Sequence, residues 1–100
     1  MPEADDRIAI ESVTSPGRTE RVDRAKYLAM RKVLLAALPA GSPGLTVAEA
    51  KAALLPVLSP DLFPGGAKAG WWLKAVQLDL EAKGLIARGP SRPVRLYRTS

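Results

Sequence analysis

The chain has no cysteine and no histidine among its 100 residues. Without thiols it can form no disulfide, no zinc–thiolate centre and no thiol nucleophile. Without imidazole it lacks the commonest general base and metal ligand at neutral pH. Aromatic residues make up only 5% of the chain, so aliphatic side chains and alanine must build most of the core. Long apolar runs are missing too. The longest, Val33 to Ala40, falls far short of the roughly 20 residues that cross a membrane. No internal repeat and no low-complexity segment interrupts the pattern. The start, Met1-Pro2-Glu3-Ala4-Asp5-Asp6, is acidic and lacks the basic segment and apolar run of a secretory signal. A cytoplasmic location is therefore the expectation, with residues 1–6 as a flexible tail and residues 7–100 as one domain.

What is present suits a small folded unit. Hydrophobic residues make up 47% of the chain, enough for one modest core. The net charge is +5, and it is unevenly spread. Residues 1–50 carry seven basic and seven acidic side chains, whereas residues 51–100 carry eight and three. From Gly84 onward there are four arginines and no acid. Basic character thus gathers at the carboxyl-terminal end.

Arg7 to Val13, with Ile8, Ile10 and Val13 set among polar residues, reads as a short strand with one buried side. Ser15-Pro16-Gly17-Arg18 is a turn: proline presets the first central φ and glycine supplies the positive φ of the second. Thr19 to Val22 can run back as a second strand. Asp23 is an N-cap for a first helix from Arg24 to about Leu38, whose apolar stripe is Tyr27, Met30, Leu34 and Leu38. Thr46-Val47-Ala48-Glu49 has the form of a capping box and starts a second helix. Pro56 removes an interior hydrogen bond, so this helix kinks or stops near Leu55. Within the loop that follows, Ser59-Pro60-Asp61-Leu62 can form a single helical turn. A third helix runs from about Ala67 to Lys83, stopped by Gly84. Leu85 to Arg88 and Val94 to Arg98, joined through Gly89–Pro93, form a hairpin.

The fold class is therefore α+β. Three helices followed by a carboxyl-terminal β-hairpin, with a short amino-terminal strand or hairpin in front, is a winged-helix-like order. Two stretches also carry a family resemblance. Ser15-Pro16-Gly17-Arg18-Thr19-Glu20-Arg21-Val22-Asp23, and Phe63-Pro64-Gly65-Gly66-Ala67-Lys68-Ala69-Gly70-Trp71-Trp72 continuing into Val76-Gln77-Leu78-Asp79-Leu80-Glu81-Ala82-Lys83-Gly84, resemble an uncharacterised family of small bacterial proteins. The resemblance covers nearly all of the chain after residue 6. It implies a bacterial protein and brings no activity, ligand or site residue.

Helical geometry divides the third helix into faces. Ala69, Trp72, Leu73, Val76 and Leu80 form the core face. Gly70, Lys74, Gln77 and Glu81 lie opposite and should meet solvent or a ligand. Trp71, Ala75, Leu78 and Ala82 form an apolar flank. Two accounts of that flank stand, and both rank ahead of a third, a base stacked on a tryptophan. Either the amino-terminal strand packs on it and buries Trp71 and Leu78, which also gives Ile8 and Ile10 a partner, or it is a protein-binding or dimer surface centred on a tryptophan.

Arg88, Arg92, Arg95 and Arg98 on the hairpin are the strongest functional hint. A guanidinium presents a planar fork of donors to phosphate. Such a hairpin can follow a DNA backbone, with the Gly65-Gly66 loop adding backbone N–H groups and Lys68, Lys74 and Gln77 nearest the base edges. The competing account is a solvated face in which Arg88 and Arg98 pair with Glu81, Asp79 or the acidic start. One lysine, one glutamine and an acidic Glu81 make a poor base-reading face, so the pattern favours backbone-directed binding. Catalysis is not expected. Asp79 and Glu81, two apart, point to different sides of a helix, and Asp79 with Lys83, four apart, makes a local ion pair instead. Asp5-Asp6 is a poor metal site, and Pro64-Gly65-Gly66-Ala67-Lys68 lacks the spacing, the hydroxyl residue and the preceding strand of a phosphate-binding loop. No cofactor, metal, membrane or small-molecule ligand is implied. The expected partner is DNA, the alternative a protein partner or a second copy of the chain.

Overall fold

Strand β1, Arg7–Glu11, pairs antiparallel with β2, Thr19–Asp23, in the register Ile10 opposite Glu20 and Ile8 opposite Val22. The computed structural model describes residues 6–15, 17–90 and 92–99. Most of the expected tail (residues 1–5) and Pro16 of the expected turn lie outside the described residues. The turn itself is closed, with the Arg18 amide donating to the Ser15 carbonyl at 3.2 Å and Gly17 at a φ of +86°. Asp6, expected in the tail, is tied down: its carbonyl accepts from the Arg24 amide at 2.7 Å. Strand β1 ends two residues earlier than the apolar pattern suggests. The reason is that the Val13 amide leaves the ladder to donate to the Leu78 carbonyl of the third helix at 3.2 Å.

Asp23 closes β2 and caps α1, Arg24–Ala37, its carboxylate accepting from the Lys26 amide at 2.9 Å. The stripe Tyr27, Met30 and Leu34 is buried as its spacing requires. After the Pro39–Gly44 loop comes β3, Leu45–Thr46, a strand too short to leave any periodic signal. Thr46 also begins α2, Val47–Leu54, and both halves of the capping box are made: Glu49 N to Thr46 Oγ1 at 3.1 Å and Thr46 N to Glu49 Oε1 at 2.9 Å. The backbone bond from Thr46, ahead of any other cause, holds the Glu49 carboxyl below its ordinary value. Pro56 stops the α-helix where expected, and a 3-10 turn over Leu55–Val57 follows. The Phe63 amide donates to the Ser59 carbonyl at 2.9 Å, which makes the single helical turn read from Ser59-Pro60-Asp61-Leu62.

Helix α3, Ala69–Ala82, starts two residues later than the sequence suggests, because Pro64–Gly66 forms its own 3-10 turn and Lys68 adopts a φ of +57°. Its core face, with Ala69, Trp72, Leu73, Val76 and Leu80, is buried as spacing dictates. The chain then turns back into β4, Ile86–Arg88, and β5, Arg95–Arg98. The second sheet has the order β3-β5-β4, with β5 in the middle and both pairings antiparallel. Gly44 permits this closure: at a φ of +84°, a Cβ there would lie 2.1 Å from the Leu96 carbonyl oxygen. No helix among the described residues is long and apolar enough to cross a membrane.

Buried in the centre is a carboxylate. Asp79 is fully buried, although its sequence neighbours suggested only a local pair with Lys83. Its Oδ2 accepts from the Tyr27 hydroxyl at 2.5 Å. Its Oδ1 accepts from the Glu11 amide at 2.8 Å and is ion-paired with Lys83 Nζ. One side chain therefore ties α1, β1 and α3 together. Removing such a charge from water costs several kcal/mol unless donors replace the lost hydration, and here three do.

Burial of the Tyr27 phenol, followed by its hydrogen bond to Asp79 and that carboxylate's charge, pushes its pKa far above the ordinary value. The fold thus favours the protonated phenol. Its contribution is complete below about pH 10, where the unfolded phenol is also protonated, and is lost as pH rises further. Urea unfolding should show stability falling more steeply with pH above about pH 10 in the parent than in Tyr27→Phe. Tyr27→Phe should also cost about 1–2 kcal/mol at neutral pH, since Asp79 loses a donor. Identical pH dependence in the two proteins would contradict this account.

Candidate nucleic-acid interface

The four hairpin arginines do not form one open patch. Arg88 is held by Glu81 through two contacts, Nε to Oε1 at 2.6 Å and Nη2 to Oε2 at 2.9 Å. The Glu81 side chain is only 5% exposed beneath it. That hydrogen bond raises the Arg88 pKa and fixes the cation in place. Arg98 donates from Nε to the Leu38 carbonyl at 2.9 Å and fastens β5 to the end of α1. Arg95 touches Glu49 and the Gly44 carbonyl, both at 3.4 Å. A pair that long and that exposed contributes about 0–1 kcal/mol, so Arg95 can be redirected at little cost, whereas Arg88 cannot. Arg92 is exposed and makes no hydrogen bond or ion pair with a described residue.

Gln77 also departs from its expected place. Periodicity puts it opposite the core, yet it is 6% exposed and donates to Glu81 Oε2 at 3.0 Å. The cause is the sharp return at Gly84, which lays β4 back along α3. Gln77, Glu81 and Arg88 are then linked by hydrogen bonds to one another, and the buried Gln77 is turned to Glu81 and away from any base edge. Two donors at the Gly65-Gly66 loop are likewise spent internally: the Gly66 amide goes to the Phe63 carbonyl and the Ala67 amide to the Pro64 carbonyl.

The open surface lies at the other end of α3. Lys68, Trp71 and Lys74 follow one another at three-residue spacing, and all three are exposed. Trp71 is 51% exposed. Its ring meets that of the buried Trp72 edge to face, centroids 5.1 Å apart at 81°. Trp72 is in turn wedged against Phe63 at 6.2 Å and 80°. The two neighbours thus have opposite tasks: Trp72 fills the core and Trp71 projects from it. Lys51 of α2 comes close as well, since a Cβ on Gly70 would lie 3.4 Å from its Nζ.

Between this part of α3 and the β1–β2 hairpin runs a groove of about 460 Å³. Trp71, Lys74 and Leu78 line it from the helix, and Ser15, Arg18 and Glu20 from the hairpin. The packing expected of the amino-terminal strand on the apolar flank is met only in part. Leu78 is half-buried under β1, but the chain turns away at Ser12–Ser15 and leaves Trp71 open. The side chains of Arg18, Lys51, Lys68 and Lys74 make no hydrogen bond or ion pair with a described residue. Sequence reasoning found Lys68, Lys74 and Trp71 but missed Lys51 and Arg18, because only the fold brings α2 and the hairpin turn beside α3.

Trp71→Ala should cost clearly less than Trp72→Ala, because half of its area is already in water. Trp72→Ala should cost about 3–5 kcal/mol. Urea unfolding followed by circular dichroism distinguishes the two, and equal losses would refute the division of labour.

The model of a family of unknown function (DUF6958) matches residues 7–96. No curated protein and no solved structure matches the chain.

Proposed function

We propose, from the premise that the chain belongs to this family of unknown function, that it is a nucleic-acid-binding domain of winged-helix type that grips backbone phosphates. The order of elements supports the architectural half of this reading. A strand precedes α2, a hairpin follows α3, and the strands join in one sheet with β5 central.

The single observation that carries the binding half is the distribution of uncompensated charge. Carboxylates and carbonyls hold the cations of the hairpin's base, while Lys51, Lys68, Lys74 and Arg18 surround the amino end of α3 with no such partner among the described residues. A cation already paired with a carboxylate gives up that pair to bind phosphate; an unpaired one releases a counterion and gains affinity. Arg92 and the loosely held Arg95 can extend the phosphate track along the hairpin. Because Gln77 and Glu81 are sealed into their own network, this surface binds nucleic acid without reading base edges in the manner of a recognition helix.

A second reading rests on Trp71. An exposed tryptophan beside Ala75 and Leu78 also suits the centre of a protein interface, with a second copy of the chain or another protein as occupant. The cations around it favour the polyanion.

Fluorescence anisotropy with labelled oligonucleotides at low salt tests the proposal. Affinity should fall with rising salt, with a log–log slope of about −3 on single strands if four phosphates are neutralised. The double variant Lys68→Ala/Lys74→Ala should reduce that slope by about 1.4. Absence of binding to both duplex and single strands at low salt would reject the proposal.

A further inference from the structure

We infer that the groove between the β1–β2 hairpin and α3 takes an unpaired nucleobase stacked on Trp71, which makes the preferred ligand a single strand. The inference rests on the nucleic-acid reading above and names the form of nucleic acid that the same surface takes.

Steric bulk is the first argument. An α-helix with its side chains is about 10–12 Å across and by itself fills a major groove about 12 Å wide. Helix α3 does not stand alone. The β1–β2 hairpin is bound to its flank by the Val13 amide on the Leu78 carbonyl and the Glu11 amide on Asp79. A layer packed beside a helix adds roughly another 10 Å. The pair is too broad to enter the groove of a duplex, whereas a flexible strand can lie along the recess between them.

Chemistry is the second. The groove volume of about 460 Å³ lies within the range of about 300–1,000 Å³ that holds small ligands. The edge-to-face contact with Trp72 covers at most one face of the Trp71 indole, so a flat π-surface remains for a base. Trp72, against which Trp71 rests, is buried and braced by Phe63. Lys68 and Lys74 stand one turn to either side, in reach of the phosphates that flank a stacked base.

The opposite wall differs in character. Ser15, Glu20 and Glu11 line it, with Arg18 its only cation among the described residues. Carboxylates accept hydrogen bonds from exocyclic amino groups and repel phosphate, and hydroxyls can accept such bonds as well. The strand is therefore oriented, with its backbone along α3 and its base edge toward the hairpin. Adenine, which carries an exocyclic amine, is the appropriate probe.

The experiment compares a labelled deoxyadenosine oligomer with a duplex of matched length, by anisotropy and by intrinsic tryptophan emission. The parent should bind the single strand more tightly than the duplex, with quenched tryptophan emission. Trp71→Ala should weaken single-strand binding by about 5- to 150-fold and leave the weaker duplex binding unchanged. Trp71→Phe should keep most of the affinity and lose the quenching. Three results would overturn the inference. The first is Trp71→Ala binding the oligomer as tightly as the parent while salt dependence persists, which leaves phosphate binding standing without base stacking. The second is a duplex that binds as well as the single strand. The third is a dimer in sedimentation that Trp71→Ala dissolves, which assigns the groove to a second copy of the chain. No binding to either oligonucleotide is a different outcome, and it removes the nucleic-acid reading itself.

Discussion

The arrangement depends on one buried carboxylate. Asp79 sits on α3 with no exposure to solvent, and it is reached from α1 by the Tyr27 hydroxyl, from β1 by the Glu11 amide and from its own helix by Lys83. Removal of any of these donors leaves the buried carboxylate with one group fewer to replace its lost hydration. The carboxylate thereby sets where the amino-terminal hairpin lies against α3. Two strands of five residues each are only marginally stable alone. Here Ile10 and Val22 of the hairpin join the core while Asp79 fixes the hairpin's position on the helix. The groove beside Trp71 exists because the hairpin is held there.

Charge count and available charge differ in this molecule. The basic residues after Gly84 look like the phosphate-binding end of the chain, yet Arg88 and Arg98 hold the second sheet to α3 and α1. Lysines and an arginine scattered along the sequence, at positions 18, 51, 68 and 74, are among the side chains with no carboxylate partner among the described residues. A cation's neighbours decide whether it is free for a ligand, and the contrast between Arg88 and Lys74 shows how little its place in a charge run reveals.

Much of the fold was legible because local chemistry dictates it. Asp23, the Thr46–Glu49 capping box, Pro56 and Gly84 each act within a few residues, and the helix boundaries that they set were found to within two residues. The core stripe of α3 followed from periodicity alone. Other features were not legible, each because a distant segment decides it. Strand β3 is two residues long and exists only through its pairing with β5. Gln77 is polar and opposite the core face, but the returning hairpin buries it. Asp79 and Lys83 carry the spacing of a surface pair, and nothing local shows that Tyr27 and Glu11 close over them. The candidate site follows the same division. Helical spacing alone marked Lys68, Trp71 and Lys74, while Arg18 and Lys51 joined them only through tertiary packing.

Amide hydrogen exchange in the parent and in Asp79→Asn tests most directly whether one carboxylate positions the hairpin. In the parent, the amides of Glu11 and Val13 should be protected. In the variant, they and the β1–β2 ladder should exchange much faster, while the amides of Met30 and Leu34 in α1 stay protected. Unchanged protection of the hairpin in Asp79→Asn would contradict the account, since the hairpin would then be held to α3 without the buried charge.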